Sequence, residues 1–266
     1  MMSMVGGAGA QERQSGGAAA RRRRDRGCER FMAKDERKLP ARVSNAEVKA
    51  FLSRVAAAPA PRSAGERGRL IFAMDATASR EPSWDHACQI QGEMFEATAG
   101  LGGLEIQLVY YRGFGEFRHT KWLIDSRSLV RQMTGVFCLG GHTQIRKVLR
   151  HAIAETKRKP VHAVVFVGDC MEEDVDLLCH LAGELGLLGV PVFIFHEGRE
   201  PIAARAFRQI ARLTKGAYLS FDAASARQLR ELLSAVAVYA AGGRRALEDL
   251  GKRAGGAVLQ IANQVK

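Results

Sequence analysis

LIFAMDATAS, residues 70 to 79, is an apolar run that stops on an acid and then alternates alanine with hydroxyl side chains. The five apolar residues from Leu70 to Met74 leave no polar face, so the segment reads as a strand covered on both sides, as in a parallel sheet. Strands of the same character follow: IQLVYYR (106–112), AVVFVGD (163–169), VFIFHE (192–197) and AYLSF (217–221), with EFRHTK (116–121) as a short edge strand. Between them, apolar residues recur at helical spacing. The spacing predicts helices over 144–157 (Ile145, Val148, Leu149, Ala152, Ile153), 174–188 (Leu177, Leu178, Leu181, Leu185), 202–214 (Phe207, Ile210, Leu213) and 225–240 (Leu229, Leu232, Leu233, Val236). Strand and helix in alternation predict an α/β fold over residues 70–240, a doubly wound, mostly parallel sheet with helices on both faces.

Upstream, Ser44 with Glu47 three residues later is a capping box, and Val48, Phe51, Leu52 and Val55 continue a short amphipathic helix. AAAPAPRSAGERG (56–68) ends it as a linker, so residues 41–69 read as helix plus linker. Residues 1–40 combine Gly, Ala, Ser and Gln with the run Arg21 to Arg24 and hold few large apolar groups, which predicts a disordered basic arm. Residues 241–266 form a C-terminal extension with one weak helical pattern, and its placement does not follow from the sequence. The net charge of +12 is uneven: residues 1–69 hold 16 Lys/Arg against 7 Asp/Glu, whereas residues 70–266 hold 24 against 21. The basic character therefore belongs to the arm rather than to the domain.

With 47% hydrophobic and 26% charged residues among 266, the composition is that of a globular protein. The longest apolar stretch, Leu185 to Phe195, is interrupted by glycines and Pro191, so no membrane span is expected. The first residues show no cationic segment followed by an apolar one, so no secretory signal is expected either. Cys28, Cys88, Cys138, Cys170 and Cys179 are odd in number and contain no CxxC pair, which argues for reduced thiols and a cytoplasmic protein. No glycine-rich dinucleotide fingerprint follows a strand and no Walker Lys-Ser/Thr is present, so nucleotide binding of the usual α/β kinds is not supported.

In an open α/β sheet, ligands bind beyond the carboxyl ends of the strands where the strand order reverses. The first strand ends in Asp75, Thr77 and Ser79, the loop before the 144–157 helix carries Gly140-Gly141-His142-Thr143, and the third long strand ends in Gly168-Asp169. Spacing by two lets one turn aim Asp75, Thr77 and Ser79 the same way, and hard oxygen donors suit octahedral Mg2+ better than zinc or copper. Each hydroxyl has a second reading: Thr77 or Ser79 can cap the helix that follows, and Thr143 likewise.

These residues resemble the metal-ion-dependent adhesion site of the von Willebrand factor type A domain, in which Asp-x-Ser-x-Ser after the first strand, a later Thr and a final Asp hold a cation. The chain is similar to a bacterial branch of that family over about residues 70–240, with Thr77 in place of the first Ser and Cys170 in place of a frequent Gly. The resemblance implies a Rossmann-like sheet ordered 3-2-1-4-5-6. It also implies that Asp75, Thr77, Ser79, Thr143 and Asp169 bind Mg2+ or Mn2+, with one position open to an Asp or Glu carboxylate of a protein partner.

The expected function is accordingly a non-enzymatic, divalent-cation-dependent protein-interaction module, an intracellular adaptor or assembly subunit. A nucleic-acid-binding protein using the basic arm is the alternative, and a metal- or cysteine-dependent hydrolase using Cys170 beside His142 the second. The acids Glu172, Glu173, Asp174 and Asp176 are expected to open the next helix, where they favour its positive end and face solvent. His196, at a strand end, is expected as a pocket wall or surface residue.

Overall fold

The structure, a computed structural model, describes residues 45–58, 67–80, 103–221 and 226–254, all within the unit formed by residues 42–266. The expected basic arm, Ser44 of the expected capping box, most of the expected linker, and residues 81–102, 222–225 and 255–266 lie outside the described residues.

Six strands form one sheet: β1 (Gly68–Asp75), β2 (Leu104–Arg112), β3 (Glu116–His119), β4 (Ala163–Gly168), β5 (Val192–Glu197) and β6 (Ala217–Phe221). Their order is 3-2-1-4-5-6, with every neighbouring pair parallel except β2 and β3, which form a hairpin. The hairpin turn uses Gly113 at φ 59, a left-handed conformation that a residue without Cβ adopts freely.

Helices α1 (Asn45–Ala57), α2 (Ser126–Thr134), α3 (Ile145–Arg158), α4 (Val175–Leu187), α5 (Pro201–Leu213) and α6 (Ala226–Ala254) cover the sheet. Because side chains alternate along a strand, β1 sends Leu70, Phe72 and Met74 to one face and Ile71 and Ala73 to the other. The first face buries Phe51 and Val55 of α1, Leu129 and Met133 of α2 and Leu232, Val236 and Tyr239 of α6. The second buries Val148 and Leu149 of α3, Leu178 and Leu185 of α4 and Phe207 and Ile210 of α5.

Two features differ from the sequence expectation. Helix α2 offers only Leu129 and Met133 to the core, a pattern too thin to stand out against its polar neighbours; its start is set by Asp125, whose carboxylate accepts the Ser128 amide. Helix α6 runs on past residue 240 to Ala254, broken at Gly243, where φ is 68. Gly68 lies against the α6 backbone at Ala240, where a Cβ would overlap the carbonyl, so this helix packs directly onto the start of β1. Among the described residues, no helix is long and apolar enough to cross a membrane.

Candidate metal centre

Strands β1 and β4 lie side by side where the strand order reverses, and the loops leaving them bring together the carboxylates that the sequence separates by 94 positions. At the end of β4, Gly168 lies beside Asp75: a Cβ there would sit 3.6 Å from the Cβ of Asp75, an ordinary contact, but 2.8 Å from the Phe166 ring, which is the group that glycine leaves room for. Asp75 is fully buried. Its Oδ1 accepts the backbone amide of Thr77 at 2.8 Å, and its Oδ2 accepts the hydroxyl of Tyr111 at 2.9 Å.

Burial, and next the negative charge of Asp169, push the Asp75 carboxyl up to about 6. The same burial and the same two acids push the Tyr111 phenol well above its ordinary range, so Tyr111 stays a hydrogen-bond donor. Asp169 contributes an unmatched atom: its Oδ1 is buried with no hydrogen-bond partner among the described residues. A buried carboxylate oxygen without a donor is costly unless something positive faces it.

Thr77 and Ser79 follow Asp75 through a short 3-10 turn (Ala78–Arg80), and their hydroxyl oxygens lie 3.2 Å apart. The loop carrying Thr143 is tied to the same end of the sheet by its backbone. The Leu139 amide donates to the Ala76 carbonyl at 3.0 Å, and the His142 amide donates to the Gly113 carbonyl at 3.2 Å. A Cβ on Gly141 would overlap that Gly113 carbonyl, so only glycine permits the approach.

Thr143 is buried, and its hydroxyl accepts the Glu172 amide at 3.1 Å. It is not the cap of α3. That helix begins after Gln144, whose side chain makes no capping bond.

The acidic segment after β4 is where the sequence expectation needs correction. Asp174 does cap α4, accepting the amides of Asp176 and Leu177. Glu172 and Glu173 turn the other way, toward the loop before α3. Glu173 accepts the amides of Ile145 and Arg146, which are free donors at that helix's positive end. Glu172 accepts the Thr143 amide at 3.3 Å and lies 3.2 Å from the His142 imidazole. These two acids, Glu173 half-buried and Glu172 still exposed to solvent as expected, thus tie down the Thr143 loop rather than the start of α4. His142, with its ring also set edge-on against Phe114, is engaged by a glutamate and an aromatic.

His196, expected as a pocket wall or surface residue, is fully buried. Its Nε2 lies 3.0 Å from the Asp169 carbonyl, which can only accept, so Nε2 carries the proton. Burial pushes the imidazole pKa down and keeps it neutral, so Nδ1 accepts the Tyr218 hydroxyl at 2.9 Å. Tyr218 and His196 together hold the backbone of Asp169 from below. Tyr111 was recoverable from the sequence only through strand register, since it pairs with Asp75 across the parallel β1–β2 ladder.

Three large apolar side chains are exposed beside this centre, among charged neighbours such as Glu172 and Arg146. Phe114, Phe137 and Leu139 are 83%, 63% and 45% exposed on the loops that carry or contact Thr143. Among the described residues, no three His, Cys, Asp or Glu side chains gather as metal ligands. A cation at the strand ends would therefore rest on two carboxylates and on hydroxyl and water oxygens, a donor set of the kind Mg2+ takes.

No protein-family model matches the chain, and no curated protein matches it significantly. Solved structures do resemble it. The VWA domain of SpRpn10 superposes with a TM-score of 0.52 at 13% identity, covering 63% of this chain and 94% of that one. The von Willebrand factor type A protein from Catenulispora acidiphila gives 0.51 at 16% identity, covering 65% of this chain; the match spans 43% of that protein's length. Proximal thread matrix protein 1 from the mussel byssus gives 0.52 at 14% identity, over 67% of this chain and 47% of its own. At these identities the likeness shows the fold alone, an α/β fold like that of the von Willebrand factor type A domain.

Proposed function

We propose that this chain, built on a von Willebrand factor type A-like fold, is a non-enzymatic protein-interaction module that works inside the cell as an adaptor or assembly subunit and depends on a divalent cation, Mg2+ or Mn2+. The observation that carries this reading is the pair Asp75 and Asp169: two acids close enough for one to raise the pKa of the other, with Asp169 Oδ1 buried and facing no donor among the described residues. A cation between them would relieve both costs. Asp75 and Asp169 would supply its charge, and Thr77, Ser79 and Thr143 its neutral oxygens. The bound ion would supply an open coordination position for a partner's Asp or Glu carboxylate.

The exposed rim of Phe114, Phe137 and Leu139 favours a protein over a nucleic acid as that partner, since exposed aromatic and aliphatic side chains at a site bury against apolar surface. The partner's acid would then sit among apolar neighbours.

The test is affinity capture on the full-length protein from a lysate of the source cells. Thr143→Ala removes the hydroxyl but also the acceptor of the Glu172 amide, so Thr143→Ser is the necessary companion. A protein retained in Mg2+ by the wild type and Thr143→Ser, and lost both in EDTA and with Thr143→Ala, supports the reading. Retention of the same proteins under all four conditions refutes it.

A further inference from the structure

At the far edge of the sheet, away from the apolar rim, the chain builds a second concave site. Strand β5 ends at Glu197, a turn through Gly198 leads to Arg199, and α5 then runs back across one face of β5 and β6. On β6 the alternate residues Tyr218 and Ser220 face α5, and on α5 Arg205 and Arg208 face β6. With Arg199 and with Glu47 of α1 they line a cavity of about 460 Å3.

Three guanidiniums and one carboxylate line this cavity, and the Glu200 carboxylate that caps α5 follows Arg199 directly, which leaves a positive excess. None of the three arginines is ion-paired with another described residue. Like charges gathered in a concavity repel one another, and the repulsion is relieved by an anion. One wall is fixed: the Arg208 guanidinium lies over the Tyr218 ring, 4.7 Å from its centroid, and the Tyr218 hydroxyl is held by buried His196. Stacking sets the plane of the guanidinium fork, and a fork of set plane matches an oxyanion better than a mobile ammonium would.

We infer that this cavity binds the phosphate of a small organic phosphomonoester. Phosphate matches the site in charge, a dianion against three guanidiniums. It also matches in geometry, because its three free oxygens can accept from several guanidinium N–H groups together. The volume exceeds that of a phosphate alone and falls in the range of small-ligand pockets, which leaves room for an organic body of sugar size.

Calorimetric titration of the full-length protein at constant ionic strength tests this, with ribose 5-phosphate, inorganic phosphate and a phosphoserine peptide as separate probes. Ribose 5-phosphate should saturate one site and bind more tightly than inorganic phosphate. Arg205→Gln with Arg208→Gln should weaken it at least tenfold, and Arg208→Lys, which keeps the charge and loses the fork, several-fold. Both arginines are exposed, so the variants should keep the wild-type far-UV spectrum and melting temperature. Equal binding by wild type and the double variant overturns the proposal. So does binding that survives in the double variant and disappears when Arg21 to Arg24 are replaced by glutamine, which would place the anion on the basic arm. Tighter binding of the phosphoserine peptide than of ribose 5-phosphate would overturn the small-molecule assignment.

Discussion

Asp75 stands under two influences that both oppose its ionisation, burial and the charge of Asp169, and only the bonds from Thr77 and Tyr111 oppose them in turn. Its folded pKa of about 6 lies above the ordinary 3.8, so the folded state binds that proton more tightly than the unfolded chain does. Stability from this residue is therefore highest at low pH, falls as pH rises from roughly 4 through 6, and stays lower above. In EDTA at pH 7.5, Asp75→Asn should then be more stable than the wild type by roughly 2–3 kcal/mol, with the gap closing as the pH approaches 4. Denaturant melts of the two proteins across that range check it; equal stability at pH 7.5 would mean that the acid is not held under strain. Residues such as Asp75, Thr77, Ser79, Thr143 and Asp169 could be singled out from the sequence because each closes or follows an apolar strand or opens a helix. The roles of Glu173 and His196 could not be read there, and that of Tyr111 only through the β1–β2 register, because they arise from neighbours 28, 27 and 36 positions away.

Among the elements, α3 depends on a carboxylate from a different loop. Glu173 takes the amides of Ile145 and Arg146, so Glu173→Ala should loosen the first turn of α3 at a cost of about 1–2 kcal/mol. Faster hydrogen exchange confined to Ile145, Arg146 and the Thr143 loop would be the signature, and unchanged exchange there would contradict the capping role. The Thr143 loop is held equally by the close passage of Gly141 over Gly113. Gly141→Ala should destabilise the protein by more than about 2 kcal/mol, read as a fall in melting temperature, because the overlap is with backbone that cannot rotate away. The strands were readable because both of their faces are apolar, and the boundaries of β5 and β6 coincide with those expected from the sequence. Helix α2 was not, since two buried side chains give no periodicity, and α6 was cut short because the sequence carries no sign of how Gly243 turns the chain.

For the molecule as a whole, the sheet order 3-2-1-4-5-6 places β1 beside β4 and so creates the crevice in which Asp75 and Asp169 meet. That order came from the resemblance of a few strand-end residues to a family pattern, since periodicity alone does not say which strands are neighbours. The apolar rim escaped notice for a related reason: Phe114, Phe137 and Leu139 look like core residues until the loops that carry them are seen to face outward. The account rests on Asp75 and Asp169 acting together on one cation. Its most direct measurement is a Mn2+ titration of the full-length protein followed by electron paramagnetic resonance of the free ion, with Mg2+ as competitor. One Mn2+ should bind per chain, be displaced by Mg2+, and be lost or weakened at least tenfold in both Asp75→Asn and Asp169→Asn. Absence of binding in the wild type, or binding that both variants retain unchanged, would contradict the account.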